Sequence, residues 1–342
     1  MELPHRSRPV AIWLFATALV VFGLVVVGGA TRLTGSGLSI TEWDPIMGVI
    51  PPLSAHGWAV AFAKYQATTQ YQFVNRGMTL AAFQSLFWWE WAHRLIARLV
   101  GVVFFGPLIA FLALRRIPSR LIIRCIVLLL LGALQGLVGW LMVKTGLEGR
   151  VTVAPEALMT HLGLALILYA ALIWTGLEAW FGPPRPQDHR RGSNWPFVTT
   201  LLGLLVYVQC LLGALVAGNQ AGLVDNDWPL MNGRVFPSDY WTLGARSLLR
   251  SQAAVQFNHR LMGYTVAALA LGLAVAAWRA RESASYLRTL VFIVAALVVA
   301  QAGLGIVTLM AQAPLPLAQS HQALATVVLG AAVILAWRGR RA

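Results

Sequence analysis

The sequence contains few charged residues for its length. Of its 342 residues, 11% are Asp, Glu, Lys or Arg, whereas 58% are hydrophobic. A soluble domain carries about 25% charged residues. This shortage excludes an ordinary soluble domain and predicts an integral membrane protein.

Cysteine is scarce as well. The chain has two cysteines, Cys125 and Cys210, and both lie inside apolar runs. Two isolated thiols provide neither a disulfide framework nor a metal-ligand spacing. We expect both to be small packing residues.

Acidic residues are outnumbered by basic ones, 12 against 26, which gives a formal net charge of +14. Such an excess could indicate a nucleic-acid partner. However, when the N-terminus is placed in the cytoplasm, 15 of the 26 basic residues fall on the cytoplasmic side. Membrane proteins show this bias in their loops. The charge therefore predicts cytoplasmic N- and C-termini and no nucleic-acid partner.

Long apolar runs dominate the rest of the chain. A membrane-spanning helix needs about 20 such residues. The predicted spans are 10–29, 79–114, 121–143, 157–177, 195–218, 252–278, 289–312 and 317–337. The last two are divided at Pro314 and Pro316, because proline favours a turn there. The first run exceeds a signal-peptide core of about 7–15 residues, so we expect a retained helix.

Two long loops, 30–78 and 219–251, are predicted on the same side of the membrane. The segment 29–45 is rich in glycine and includes Pro45. These residues favour turns over helix. We therefore expect an ordered, non-helical segment directly after the first span.

The chain contains an internal repeat, which indicates a duplicated architecture. The first copy contains Glu90-Trp91-Ala92-His93-Arg94-Leu95, Gln135-Gly136-Leu137-Val138-Gly139 and His161-Leu162-Gly163-Leu164-Ala165; the second contains Gln256-Phe257-Asn258-His259-Arg260-Leu261, Gln301-Ala302-Gly303-Leu304-Gly305 and His321-Gln322-Ala323-Leu324-Ala325. Each copy holds four predicted helices, so both copies point the same way. The repeat predicts an all-α protein of eight transmembrane helices. They form two tandem four-helix bundles, 1–182 and 183–342, related by a pseudo-two-fold axis along the membrane normal.

Histidines form the most informative set of polar residues. Three of the seven, His5, His56 and His189, are expected to be solvated. The other four lie near the starts of the second, fourth, sixth and eighth spans: His93, His161, His259 and His321. A single membrane histidine is readily explained as a packed core residue. Four at matched positions favour one ligand pair per bundle, which suits the axial positions of a haem iron. Zinc would need three or four ligands.

Three arginines, Arg32, Arg94 and Arg260, are predicted near the same membrane face. There they could pair with haem propionates. The alternative is that they extend to the membrane interface for solvation alone.

The two copies differ at one position, which predicts two unequal sites. Glu90 in the first copy corresponds to Gln256 in the second. A carboxylate can transfer protons or stabilise positive charge, whereas an amide transfers no proton. We therefore expect a reactive site with Glu90, His93 and His161. The second pair, His259 and His321, would only hold a haem or relay electrons. A structural role for Glu90, paired with Arg94 or Arg32, is the alternative.

With these motifs the chain resembles the haem A synthase family over nearly its whole length. The resemblance rests on Gly-Gly-Ala-Thr-Arg-Leu-Thr-Gly-Ser-Gly-Leu-Ser-Ile from Gly28, Glu-Trp-Ala-His-Arg from Glu90, Asn-His-Arg from Asn258, and two lone histidines. It implies oxidation of a methyl group of haem O to the formyl group of haem A for terminal oxidase assembly. It also implies that Glu90 is catalytic. His93 and His161 would then bind the substrate haem iron, and His259 and His321 a haem b iron.

The resemblance further implies a location and partners. We expect a bacterial inner-membrane protein embedded in the lipid bilayer, with its haem sites near the periplasmic face. Haem O is the expected substrate, haem O synthase and oxidase assembly factors are candidate partners, and a homo-oligomer is allowed. Some family members carry a cysteine pair in the external loops, which this chain lacks. It therefore resembles the mitochondrial and proteobacterial branch, and no thiol-dependent step is expected.

Two other classes of protein remain open at this point. A di-haem, quinone-linked cytochrome b would explain four histidines but not Glu90. A transporter built on two repeats would have broken helices at the middle of the bilayer, whereas the polar groups here cluster at one face.

Overall fold

The computed structural model describes residues 6–44, 46–183, 194–280 and 285–341. Across these ranges the regular structure is helical, apart from one antiparallel bridge between Met231 and Arg234. The α-helices are α1 (Arg8–Leu33), α2 (Ala55–Gln66), α3 (Thr69–Phe73), α4 (Leu80–Ala113), α5 (Ser119–Leu147), α6 (Pro155–Phe181), α7 (Trp195–Gly218), α8 (Ser247–Arg250), α9 (Gln252–Arg279), α10 (Ser285–Met310) and α11 (Leu315–Gly339).

Eight helices in these ranges are long and apolar enough to cross a membrane: α1, α4, α5, α6, α7, α9, α10 and α11. They confirm the eight predicted spans, with ends shifted by a few residues. Each of the eight is continuous, so the described chain shows no broken helix of the kind a repeat-built transporter would have.

Local sequence signals set the helix ends. Helices α6, α7 and α11 each have proline in the first turn, where its missing N–H costs nothing. Thr79 and Ser251 cap α4 and α9 by accepting backbone N–H groups. Gln312 and Ala313 adopt positive φ values between α10 and α11. The predicted division of the last apolar stretch is therefore confirmed.

The helices of each half pack in a matching order. In the first half α1 packs against α4 and α6, and α5 packs against α6; in the second half α7 packs against α9 and α11, and α10 packs against α11. The halves meet where α6 contacts α7 and α11, and where α1 contacts α11. The axis that relates the halves and their boundary after residue 182 stay predictions. One difference stands out: α4 and α5 make few close approaches, whereas α9 and α10 make many.

Buried apolar residues form one main cluster in each half. The first includes Leu14, Leu121 and Leu172, and the second includes Leu202, Leu287 and Leu335. Cys125 is buried in the first cluster, and Cys210 is half-buried against the second. The expectation that both cysteines serve as packing residues is confirmed.

The alternating helices place the two long loops at one end of the bundle, which we call the loop end. The first loop differs from the prediction. Helix α1 continues to Leu33, so residues 29–33 are helical, and the turn begins at Thr34 with Gly35 at φ 71°. Pro45 lies outside the described residues.

The first loop also contains α2 and α3, which the sequence did not indicate. Tyr65, Phe83 and Phe87 are buried together, so α2 packs on the first turns of α4. This aromatic cluster explains why α4 begins about three and a half turns before His93.

A buried carboxylate joins three helices at the opposite end, which we call the turn end. Glu178 of α6 is 7% exposed. It accepts hydrogen bonds from Arg120 Nη1 of α5 at 2.8 Å, from Trp337 Nε1 of α11 at 3.0 Å, and from Arg341 Nη2 at 3.3 Å. This single acid therefore links the two halves at the turn end.

Replacing Glu178 with Gln should destabilise the protein. The change removes the charge that compensates two guanidinium groups, and breaking a buried ion pair in this way costs about 3 kcal/mol or more. We expect a lower midpoint of thermal unfolding in detergent. Glu148→Gln is the control, since the Glu148 side chain is 67% exposed and its partner Lys144 lies 3.6 Å away. Equal midpoints for the two variants would contradict the proposed role of Glu178.

Candidate functional site

The four histidines singled out from the sequence all lie toward the loop end and are half-buried. His161, His259 and His321 lie about two turns from the starts of α6, α9 and α11, as expected. His93 is the exception, because α4 extends beyond it toward the first loop. His56 lies in α2 and is exposed, as predicted. His5 and His189 lie outside the described residues.

The second histidine pair has a geometry that suits a shared metal ion. The ring centroids of His259 and His321 are 6.5 Å apart, and the ring planes make an angle of 81°. A metal–imidazole bond is about 2 Å long, so a metal between two opposed rings separates their centroids by about 6–6.5 Å. His93 and His161 of the first pair lie within electrostatic reach of each other.

Each of the four imidazoles rests against a glycine of a neighbouring helix. A β-carbon added to the glycine would lie close to a ring atom in every case: 3.0 Å for Gly28 and His93 Nε2, 2.8 Å for Gly139 and His161 Cε1, 3.2 Å for Gly213 and His259 Cε1, and 2.8 Å for Gly305 and His321 Cε1. A larger residue would displace the ring or the helix. Contact with these glycines therefore limits the position of each imidazole.

We call the glycine that contacts each imidazole its seating glycine. Three of the imidazoles also contact a glutamine that lies four residues before this glycine. The Nε2 atom lies 3.2 Å from His161 Nδ1 for Gln135, 3.0 Å from His321 Nδ1 for Gln301, and 3.4 Å from His259 Nε2 for Gln209. Gln135 and Gln301 also donate a hydrogen bond to the backbone carbonyl of their histidine, both at 3.0 Å.

Several buried polar atoms beside these imidazoles have no hydrogen-bond partner in the described chain. In the described chain, the Oε1 atoms of all three glutamines and His259 Nδ1 are buried without a hydrogen-bond partner. Buried polar atoms are normally paired. The described residues hold no cluster of three or more His, Cys, Asp or Glu that could bind a metal. The donor set thus fits a group that takes two imidazoles, such as a haem iron.

Glu90 is 3% exposed and lies on the same helix face as His93. Its Oε1 accepts a hydrogen bond from Arg94 Nε at 2.7 Å. Arg94 also donates to the carbonyls of Ile40 and Glu42, both at 2.7 Å. The structural pairing raised as an alternative for Glu90 is therefore present, and it ties the carboxylate to the first loop.

Gln256 occupies the matching position in the second half and is 2% exposed. Its Nε2 donates to the carbonyls of Ala221 and Val224, both at 2.6 Å, and its Oε1 accepts from Arg260 Nη2 at 2.8 Å. A carboxylate has no N–H and could not make the first two bonds. The amide thus has a structural role in the second half.

Arg260 fixes the second loop in the way that Arg94 fixes the first. Its guanidinium donates to the carbonyls of Asp225, Asp227 and Leu230. The Asp227 carboxylate accepts the backbone N–H groups of Asn232 and Gly233, and these bonds hold its pKa below the ordinary value. The turn that presents the carbonyls to Arg260 is therefore itself hydrogen-bonded.

Of the three arginines expected near a propionate, two are engaged by protein groups. Arg94 and Arg260 bind loop carbonyls, whereas Arg32 has no hydrogen-bond or ion-pair partner among the described residues. The propionate contacts of all three stay predictions.

The sequence did not reveal the seating role of the glycines or the position of Gln209. The repeat around Gln135 and Gln301 was a signal, since a glutamine and a glycine four residues apart share one helix face. The same spacing links Gln209 to Gly213, and it would have pointed to a third histidine contact.

Comparison with known proteins finds one family that matches nearly the whole chain. Residues 11–333 match the COX15-CtaA family model, described as "Cytochrome oxidase assembly protein". The chain is 56% identical over 337 residues to "Heme A synthase" of Caulobacter vibrioides, which covers 98% of this chain and 97% of that one. Proteins with the same name from Maricaulis maris and Mesorhizobium japonicum are each 46% identical, over 98% and 96% of this chain and 98% and 90% of theirs.

Exchanging Gln256 for Glu should loosen the second loop. The variant leaves two buried carbonyls without a donor, which costs at least about 2 kcal/mol. We expect a lower thermal midpoint and faster proteolytic cleavage within 219–251. Gln252→Glu is a matched control, because Gln252 also donates to a loop carbonyl, that of Asn219 at 2.9 Å, but is exposed. A Gln256→Glu protein as stable as this control would contradict the bonding described here.

Proposed function

The chain belongs to the COX15-CtaA family of cytochrome oxidase assembly proteins, and on this premise we propose that it is a haem A synthase. It oxidises a methyl group of haem O to the formyl group of haem A. The observation that carries the proposal is the buried acid Glu90 beside one histidine pair, where the other pair has the amide of Gln256. The names of the relatives support it, and they give no support to the di-haem electron-transfer alternative.

The first half, residues 1–182, receives the substrate. His93 and His161 bind the iron of haem O, and Arg32 pairs with a propionate. The sparse packing between α4 and α5 leaves this half more open to lipid than the second half, where α9 and α10 are close. An opening of this kind suits a substrate that carries a long isoprenoid chain and must enter and leave.

The second half, residues 183–342, holds haem b between His259 and His321. The spacing of these rings and the unsatisfied atoms beside them support this assignment. A bound haem b supplies one-electron transfer. The protein's contribution is to hold the two imidazoles against Gly213 and Gly305.

Glu90 is the residue we assign to proton handling. Oxidation of a methyl group to a formyl group breaks two C–H bonds, so protons must be accepted at the site. Glu90 is a carboxylate in a buried position, on the helix face that presents His93. Arg94 holds it in place through the 2.7 Å bond to Oε1, which leaves Oε2 to accept or donate a proton.

The membrane setting and the partners follow from the same proposal. We place the loop end, and with it both haem sites, at the periplasmic face of the bacterial inner membrane, with both termini in the cytoplasm. Haem O synthase is the proposed donor of substrate, and oxidase assembly factors are the proposed acceptors of product. Homo-oligomerisation is compatible with this arrangement.

The Glu90→Gln variant tests the catalytic assignment. Since Gln has nearly the same volume and can accept from Arg94, we expect normal haem binding at both sites. Formyl haem production should be lost, by at least about a hundredfold, because general acid–base catalysis contributes on this scale. The measurement is haem extraction from cells supplied with haem O, with mass identification of the products.

The exposed carboxylate variant Glu148→Gln serves as its control and should make haem A at the wild-type level. A normal haem A yield from Glu90→Gln would refute the proton role. Absence of haem A from the wild-type protein would refute the proposed function itself.

The contact between Gly305 and His321 allows a separate test of the second haem site. Gly305→Ala introduces a methyl group about 2.8 Å from His321 Cε1, so the ring must move and haem b should be lost or reduced. Gly303→Ala lies two residues away on α10, where an added methyl meets no atom within 4 Å, and it should retain haem b. The haem-to-protein ratio of the purified variants, measured by absorbance, distinguishes them. Equal ratios would argue against His321 as a ligand.

A further inference from the structure

All four histidines lie against a glycine, but only three of them also contact a glutamine. Gln135, Gln209 and Gln301 each lie four residues before a seating glycine and contact the imidazole in front of it. The position four residues before Gly28, the glycine behind His93, is Leu24. A leucine neither donates nor accepts a hydrogen bond.

The amide next to an imidazole restricts the ring. A histidine that binds a metal through one nitrogen commonly has its other ring nitrogen held by a hydrogen bond, which fixes the ring orientation. A glutamine amide both donates and accepts, so it can satisfy that nitrogen in either tautomer. In this structure the Nε2 atoms of Gln135 and Gln301 lie within 3.4 Å of both ring nitrogens of their histidines, and that of Gln209 lies 3.4 Å from His259 Nε2.

We propose that His93 is the exchangeable ligand, because Leu24 leaves its imidazole without the amide that holds the other three. Gln135, Gln209 and Gln301 act as positioning residues through their histidines. This inference rests on the proposed function and deepens it. The first site must take up haem O and release haem A at each turnover, whereas the second keeps its haem.

The distribution of the amides fits this division between the sites. Both ligands of the second site, His259 and His321, have a glutamine, which favours permanent retention. In the first site only His161 has one. The substrate iron would therefore be held firmly from one side and loosely from the side that carries Glu90.

The reciprocal variants Leu24→Gln and Gln209→Met test the proposal. One hydrogen bond changes an equilibrium or a dissociation rate by roughly two- to tenfold. We expect Leu24→Gln to slow the release of haem O, added to the purified protein, to apomyoglobin by this factor. Gln135→Met should accelerate that release by a similar factor.

In Gln209→Met we expect His259 to become displaceable at the second site. Carbon monoxide should then bind to the dithionite-reduced haem b two- to tenfold faster than in the wild-type protein, as followed by the difference spectrum. Leu19→Gln is the control for adding an amide to α1, since Leu19 is 68% exposed and its spacing from Gly28 puts it on the opposite helix face. It should leave haem release unchanged.

Wild-type release rates in Leu24→Gln and Gln135→Met would overturn the proposal. So would equal carbon monoxide binding in Gln209→Met and the wild-type protein. If Gln209→Met does not fold, the two first-site variants decide the question. Because these rates are measured without turnover, their failure is distinguishable from failure of the proposed function, which is read from haem A formation by the wild-type protein.

Discussion

The contact between an imidazole and the bare backbone of a glycine is the feature on which the rest of the site depends. In an apolar bundle each polar group must find its partners inside the protein, because the surrounding lipid offers none. Four imidazoles are placed in this way, each between its own helix and the glycine of a neighbouring one. The glycines bring the helices close enough to define each ring position, and glutamines then supply a polar partner to three of the four imidazoles.

The loops are attached to the same positions by arginine. Arg94 and Arg260 each lie one residue after a site histidine and donate to carbonyls of the long loop above it. A guanidinium with five N–H donors can bind several carbonyls at once. The loops are therefore held over the histidines by residues of the same helix turn, which couples loop order to site geometry.

The duplicated halves show how a small change separates two roles. Gln256 uses its N–H₂ group to hold the second loop, whereas Glu90 has no such donor and keeps a buried carboxylate. The looser packing of α4 against α5 and the presence of Leu24 are further departures in the same half. All three fit the proposal that the first site takes a substrate haem and the second keeps its haem. Stability is provided mainly elsewhere, by the two apolar clusters and by Glu178 at the turn end.

The eight spans, the four matched histidines and the difference between Glu90 and Gln256 could all be read from the amino-acid sequence. These follow from hydropathy, repeat spacing and residue chemistry, which are local properties of the chain. The predicted end of α1 was wrong, because Gly28 and Gly29 suggested a turn. In the structure they lie within the helix and face His93 and Gln322, which belong to other helices. Helices α2 and α3 depend on the aromatic cluster around Tyr65, which forms only when distant segments meet. Only the packing of the helices shows which glycine faces which imidazole and that Arg94 and Arg260 bind loop carbonyls. Spacing shows what shares a helix face but not what lies opposite it.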